Sequence, residues 1–125
     1  MKLNIDCIRD IMLVIEDLDF KQSINIDGLC ECLPEYSEDE LHYTSLKLYE
    51  AGLIDALTVS LMPVMGEQIK CINELTYDGH VLLDNIRSDN IFKETKSKIA
   101  KAVGSASIDV IAQVALSVVR SKLGI

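Results

Sequence analysis

By type, six side chains of this sequence could do metal or nucleophile chemistry: Cys7, Cys30, Cys32, Cys71, His42 and His80. Thiolates and imidazoles hold zinc when they come in pairs at fixed spacings. Cys30-Glu31-Cys32 is C-x-C, and no second pair accompanies it. The four cysteines therefore read as reduced thiols that pack as small hydrophobes, and no metal site is expected. His80 follows Gly79 near the start of a short helical stretch, beside Asp78. A general acid or base needs a partner group within hydrogen-bond reach of a substrate proton, and Asp78 and Asp84 lack a spacing that would frame one. No phosphate-binding loop, G-x-S-x-G elbow or H-E-x-x-H is present. The expectation is a non-enzymatic chain with no catalytic residues and no cofactor.

Charge offers the other chemistry. Residues 1–86 hold 5 basic and 17 acidic side chains, and residues 87–125 hold 7 basic and 3 acidic. Nucleic acid is held largely by Lys and Arg at phosphates, so the candidate DNA contacts are few. They are His42, Tyr43 and Lys47 in one helical segment, Lys70 in a following strand, and Arg87, Lys93, Lys96, Lys98 and Lys101 farther on. The four lysines of the last group fall broadly opposite Phe92 and Ile99. That is the pattern of a solvated helix face, and equally of a surface for phosphate or an acidic partner.

The elements that carry these residues follow from periodicity. Ile5, Ile8, Ile11, Met12, Ile15 and Leu18 recur at helical spacing from Asn4 to about Asp19. Asn4 suits the N-cap and Asp6 the positive end of the helix dipole. Gln22 to Ile26 alternates like a short edge strand, and Asp27 to Leu33 reads as a second helix stopped by Pro34. Ser37 and Glu40 make a capping box, which opens a third helix over Glu38 to Ala51 with Leu41, Thr44, Ser45 and Leu48 on one face. Gly52 ends it. Thereafter the period drops to two: Leu57, Val59 and Leu61 lead into a Pro63 to Glu67 loop, and Ile69 and Cys71 return. A fourth helix opens at Thr76 with Leu82, Leu83 and Ile86 inward. A fifth starts near Ser88 with Phe92, Thr95, Ile99 and Val103 on its apolar side. Gly104 to Ser107 separates it from a last helix, Ile108 to Leu123.

Three helices followed by a hairpin is the winged-helix order. The expected class is α+β and mostly helical: a winged helix-turn-helix core over 1–87, with a C-terminal helical extension over 88–125 that packs on the core or mediates dimerisation. Leu48-Tyr49-Glu50-Ala51-Gly52-Leu53-Ile54 resembles the recognition-helix exit of many bacterial winged-helix regulators. A wider likeness is carried by Met1-Lys2-Leu3-Asn4, Arg9-Asp10-Ile11, Glu50 to Ile54, Leu75 to His80, Leu83 to Arg87, Lys93 to Lys96, and Gly104 to Leu123. Through these residues the whole chain resembles an uncharacterised family of bacteria and their phages, domain of unknown function 2513. The resemblance implies a winged-helix-like fold and a phage or prophage setting, and it brings no activity. Where it leads one to expect Leu in the third helix, this chain has Ser45.

Two functions stay open. One is a DNA-binding regulator of phage or prophage type, although Glu38, Asp39 and Glu40 stand where a recognition helix would meet phosphates. The other is an acidic protein-interaction module that imitates DNA or binds a host factor. In the last helix Ile108, Ile111, Val114, Ala115, Val118 and Val119 belong to an apolar surface wider than one stripe. It suits a homodimer interface, or packing on the first and fifth helices within one chain. The longest weakly charged run, near Val110 to Val119, is too short for the roughly 20 residues of a bilayer span. No targeting signal is evident, so the expected location is the cytoplasm of a bacterial host cell.

Overall fold

A computed structural model describes residues 1–60, 62, 66–104 and 106–125. Among them lie six helices and a two-stranded antiparallel hairpin, a mostly helical α+β arrangement. The elements run α1 (Ile5–Glu16), α2 (Ile26–Cys32), α3 (Glu38–Glu50), β1 (Ile54–Val59), β2 (Gln68–Leu75), α4 (Tyr77–Ile86), α5 (Asp89–Ala102) and α6 (Ile108–Leu123). Among the described residues no helix is long and apolar enough to cross a membrane.

α1 is the central element. Cys7, Ile8, Ile11 and Met12 have no exposed surface, because α1 packs on α2, α3, β2 and α4 at once. Each buried isoleucine of this kind contributes about 1.5–3 kcal/mol. The expected N-cap is in place: the Asn4 side chain accepts from the Asp6 amide at 2.9 Å. α3 begins with the Ser37 hydroxyl accepting from the Glu40 amide at 3.1 Å. The reciprocal half of the capping box is not made. Glu40 Oε1 instead accepts from Asn4 Nδ2 at 3.2 Å, joining the start of α3 to the start of α1. At Gly52, with φ of +75°, the chain leaves α3 for β1.

Two sequence expectations change here. The proposed strand over Gln22 to Ile26 shrinks to one bridge, Ile24 with Ile72, whose amides bond each other's carbonyls. The reason is that Asn25 caps α2 by accepting from the Gly28 amide at 2.8 Å, so Ile26 is already helical. The hairpin also starts earlier than its alternation implied. Ile54 is buried while Leu57 is half exposed, because β1 alternates from Ile54 and so turns Leu57 outward. The two register shifts place their extra residues, Lys70 and Asn73, in β2, which buries Ile69, Ile72 and Leu75 where Cys71 was expected inward. Of the expected hairpin, Leu61, Pro63, Val64 and Met65 lie outside the described residues.

α4 is docked on the hairpin by its first turn. Thr76 donates its amide to the Leu53 carbonyl at 3.0 Å and its hydroxyl to the Gly52 carbonyl at 2.6 Å. Its hydroxyl also accepts from the Gly79 amide at 3.1 Å, which caps the helix. The buried Gly79 is what permits this approach, since a Cβ there would collide with the Leu53 carbonyl oxygen. Leu82, Leu83 and Ile86 are buried as expected.

α5 and α6 pack on each other and on α4. For α6 the second intrachain partner is thus α4, where the sequence suggested the first helix. Phe92, Thr95 and Ile99 are buried, but Val103 is 64% exposed. It lies past the end of α5, where its amide and that of Gly104 both bond the Ile99 carbonyl. Residues of both proposed segments, 1–87 and 88–125, contribute to one continuous apolar core.

Candidate interaction surface

α3 carries His42, Tyr43 and Lys47. The positions inward of them, Leu41, Thr44, Ser45 and Leu48, are all buried. Ser45 has no exposed surface, and its hydroxyl finds no hydrogen-bond partner among the described residues. Each of the three candidate groups on α3 has an intramolecular contact. His42 Nε2 accepts from the Ile69 amide at 2.9 Å and so ties α3 to β2. Lys47 binds Glu50 at 2.8 Å and lies 5.4 Å from the centre of the Tyr43 ring. Hydrogen bonding to Glu50 holds the Lys47 ammonium above its ordinary range.

The later cations divide. Arg87 forks onto both carboxylate oxygens of Glu16 and also reaches Asp84 at 3.0 Å. This clasp pushes Arg87 up and holds the Glu16 carboxyl below its ordinary value of 4.5, chiefly through the hydrogen bonds from Arg87. Lys96 meets both oxygens of Asp6 at 2.8 and 3.1 Å, and Lys98 is 3.9 Å from Glu94. Among the described residues, Lys70, Lys93 and Lys101 are exposed and in no ion pair. Periodicity gave no sign of Arg9, which donates to Asp89 at 3.0 Å and sits 4.6 Å above the Phe92 ring. Its partners come from an element some 80 positions away, so only the fold could reveal it.

Acidic charge on α2 and α3 is distributed differently. From Gln22 to Leu46 there is no Lys or Arg. Asp27, Glu31, Glu35, Glu38 and Asp39 are all exposed, and none is in an ion pair among the described residues. The turn that carries Glu35 is fastened down by Tyr36, whose hydroxyl donates to Asp10 at 2.6 Å. Burial and the Asp10 bond push the Tyr36 phenol up, so it stays neutral and keeps donating. The result is an anchored turn with exposed carboxylates on α2, on the turn itself and on the first turn of α3, while Lys70 lines a cleft with Asn25 and Gly28 at the start of α2.

The α6 candidates point mostly inward. Ile108, Ile111, Ala115 and Val118 are buried within the chain, and Val114 and Val119 are partly buried. The first four are therefore covered without any partner. What α6 leaves outside is Val110, Leu116 and Leu123. The remaining sequence candidates are dispersed. All four cysteines are free, and burial pushes the Cys7 thiol up to about 11. His80 is exposed on the rim of a cleft with Glu16 and Glu74, while Asp84 is taken by Arg87. Among the described residues no three His, Cys, Asp or Glu side chains gather as a metal would require.

Comparison with known proteins gives a family whose description names no activity. The family model described as "Hypothetical protein (DUF2513)" matches residues 2–106. An "Uncharacterized protein" of Haemophilus influenzae is 32% identical over 124 residues, covering 98% of this chain and 99% of that protein. No solved structure matches.

Proposed function

The chain belongs to the DUF2513 family, and from its geometry we propose that it is a non-enzymatic interaction module with a winged-helix scaffold. Its helix-turn-helix face docks a basic protein surface instead of DNA. The scaffold reading is supported by the order of three helices and a hairpin, with Ile24 bridged to the far side of β2. The docking reading is carried by one observation: five exposed carboxylates, in no ion pair among the described residues, lie on a run from Gln22 to Leu46 that has no Lys or Arg. DNA presents about one phosphate charge per 1.7 Å of axis, so such a face meets repulsion along the whole groove. A protein surface that binds phosphates meets attraction there. A phage protein that imitates DNA to occupy a host factor has this chemistry.

The second reading, DNA binding, is favoured by the winged-helix order of the elements and by Lys70, Lys93 and Lys101, which are exposed and unpaired among the described residues. Two assays separate the readings. In the first, labelled duplex of about 20 base pairs is titrated at about 50 mM salt, where phosphate contacts are strongest. No binding is expected. Duplex binding that falls steeply with salt and is lost in K93E/K101E would establish the DNA reading. In the second, immobilised wild type is compared with E35K/E38K/D39K and with D17K/D19K. A basic protein retained by wild type and D17K/D19K but lost by the first variant supports the docking face. Equal retention by all three overturns it.

A further inference from the structure

We propose that the outward face of α6 is a self-complementary surface that takes a second, antiparallel copy of this chain. Along an α-helix, residues at 100° intervals return to one face after eleven positions. Asp109, Gln113, Leu116 and Arg120 thus share one narrow stripe, opposite the buried Ile111, Ala115 and Val118. All four are exposed. The stripe begins with an acid and ends with a base, and neither Asp109 nor Arg120 is in an ion pair among the described residues.

The chemistry names the occupant. A second α6 laid antiparallel across a two-fold axis brings Asp109 against Arg120 of the other copy, and the same contact recurs at the opposite end. The register that pairs these charges also sets Gln113 against Leu116 of the other copy, with the two leucines flanking the axis. Leu116 is 38% exposed although apolar, and beside it Ser117, Arg120, Ser121 and Ile125 line a groove. The surface is a different one from Ile108, Ile111, Ala115 and Val118, which the chain itself covers. With one helix from each copy, the interface falls at or below the ~1,200 Å² that bounds weak, reversible association. A rapid monomer–dimer equilibrium is the expected state.

The competing explanation is local: an acid in the first turn and a base in the last complement the helix dipole. Sedimentation of the full chain from about 10 μM to about 1 mM, the range in which weak association registers, distinguishes them. Wild type should approach twice the monomer mass. D109K and R120E each set like charges together at both ends and should weaken the dimer at least tenfold, while D109K/R120E should recover most of the loss. If the charge changes lower helicity, L116K at an exposed position provides a variant without that cost and should weaken the dimer as well. A chain that stays monomeric throughout, a dimer indifferent to all three single changes, or a double variant as weak as the single ones overturns the proposal.

Discussion

Replacing Gly79 with Ala reverses the sign that helix propensity alone would give. In an exposed helix interior this change stabilises by about 1 kcal/mol. Here the new Cβ falls well inside the 3.0 Å that real Cβ atoms keep, and the atom it meets is the backbone oxygen of Leu53, which no rotamer can move aside. The first turn of α4 must retreat by about an ångström, at an overpacking cost of roughly 1–3 kcal/mol. That retreat also stretches the two bonds from Thr76 to Leu53 and Gly52, each worth about 1 kcal/mol. Setting the propensity gain against these costs leaves a net loss of about 2–4 kcal/mol, a large part of the 5–15 kcal/mol of a typical domain. Urea unfolding followed by circular dichroism should show a lower midpoint with an unchanged slope. Gly28→Ala is the comparison: there the nearest atom is Cγ1 of the Ile24 side chain at 2.7 Å, which can rotate, so the loss should be smaller. A Gly79→Ala variant as stable as wild type would refute the account of how α4 docks.

Three further outcomes are expected. Ser45→Ala removes a buried hydroxyl that has no partner, so stability should hold or rise by up to about 1 kcal/mol in the same assay; a clear loss would mean the hydroxyl is satisfied. His42→Ala removes the acceptor for the Ile69 amide, which should cost about 1–2 kcal/mol and speed hydrogen exchange at Ile69 in particular. Arg87→Met tests the clasp by pH. Because Arg87 holds Glu16 below 4.5, the unfolded chain takes up that proton first as pH falls. Its contribution is complete above about pH 4.5 and fades as pH drops through the lower folded value. Both side chains are partly solvated, so the contribution is under about 1 kcal/mol. The acid limb of the stability profile should be flatter in the variant, and an unchanged limb would show the pair to be silent.

Helices with a clean stripe were legible from sequence. α1, α3, α4 and α6 announce themselves by spacing and caps, and Asn4, Ser37, Thr76 and Ser107 all accept from a first-turn amide. Local signals failed where two of them competed. Asn25 could have closed a strand or opened a helix, and its side-chain bond to Gly28 decided for the helix. In the hairpin, β1 alternates from Ile54, so a reading that starts at Leu57 takes the wrong parity, whereas β2 buries Ile69, Ile72 and Leu75, a spacing set by its two extra residues that period two does not show. In α6 the inward set at 108, 111, 115 and 118 is ordinary helical spacing, and the additional valines and Leu116 made the helix look buried on all sides. For the surface, the acid-only run was plain in the sequence. Which cations were free was not, since Arg87 and Lys96 meet partners 71 and 90 positions away.

Those separations bear on how the chain reaches its structure during synthesis. Asp6, Arg9 and Glu16 of α1 are neutralised by Lys96, Asp89 and Arg87, all made long after α1 has left the ribosome. At about 5–20 residues per second, α1 waits several seconds for these partners. In that interval α4 is also missing, so one side of its apolar surface lies open to chaperones or to neighbouring nascent chains. Stalling translation before residue 87 should therefore yield a protease-sensitive intermediate, which closes only when α5 is released.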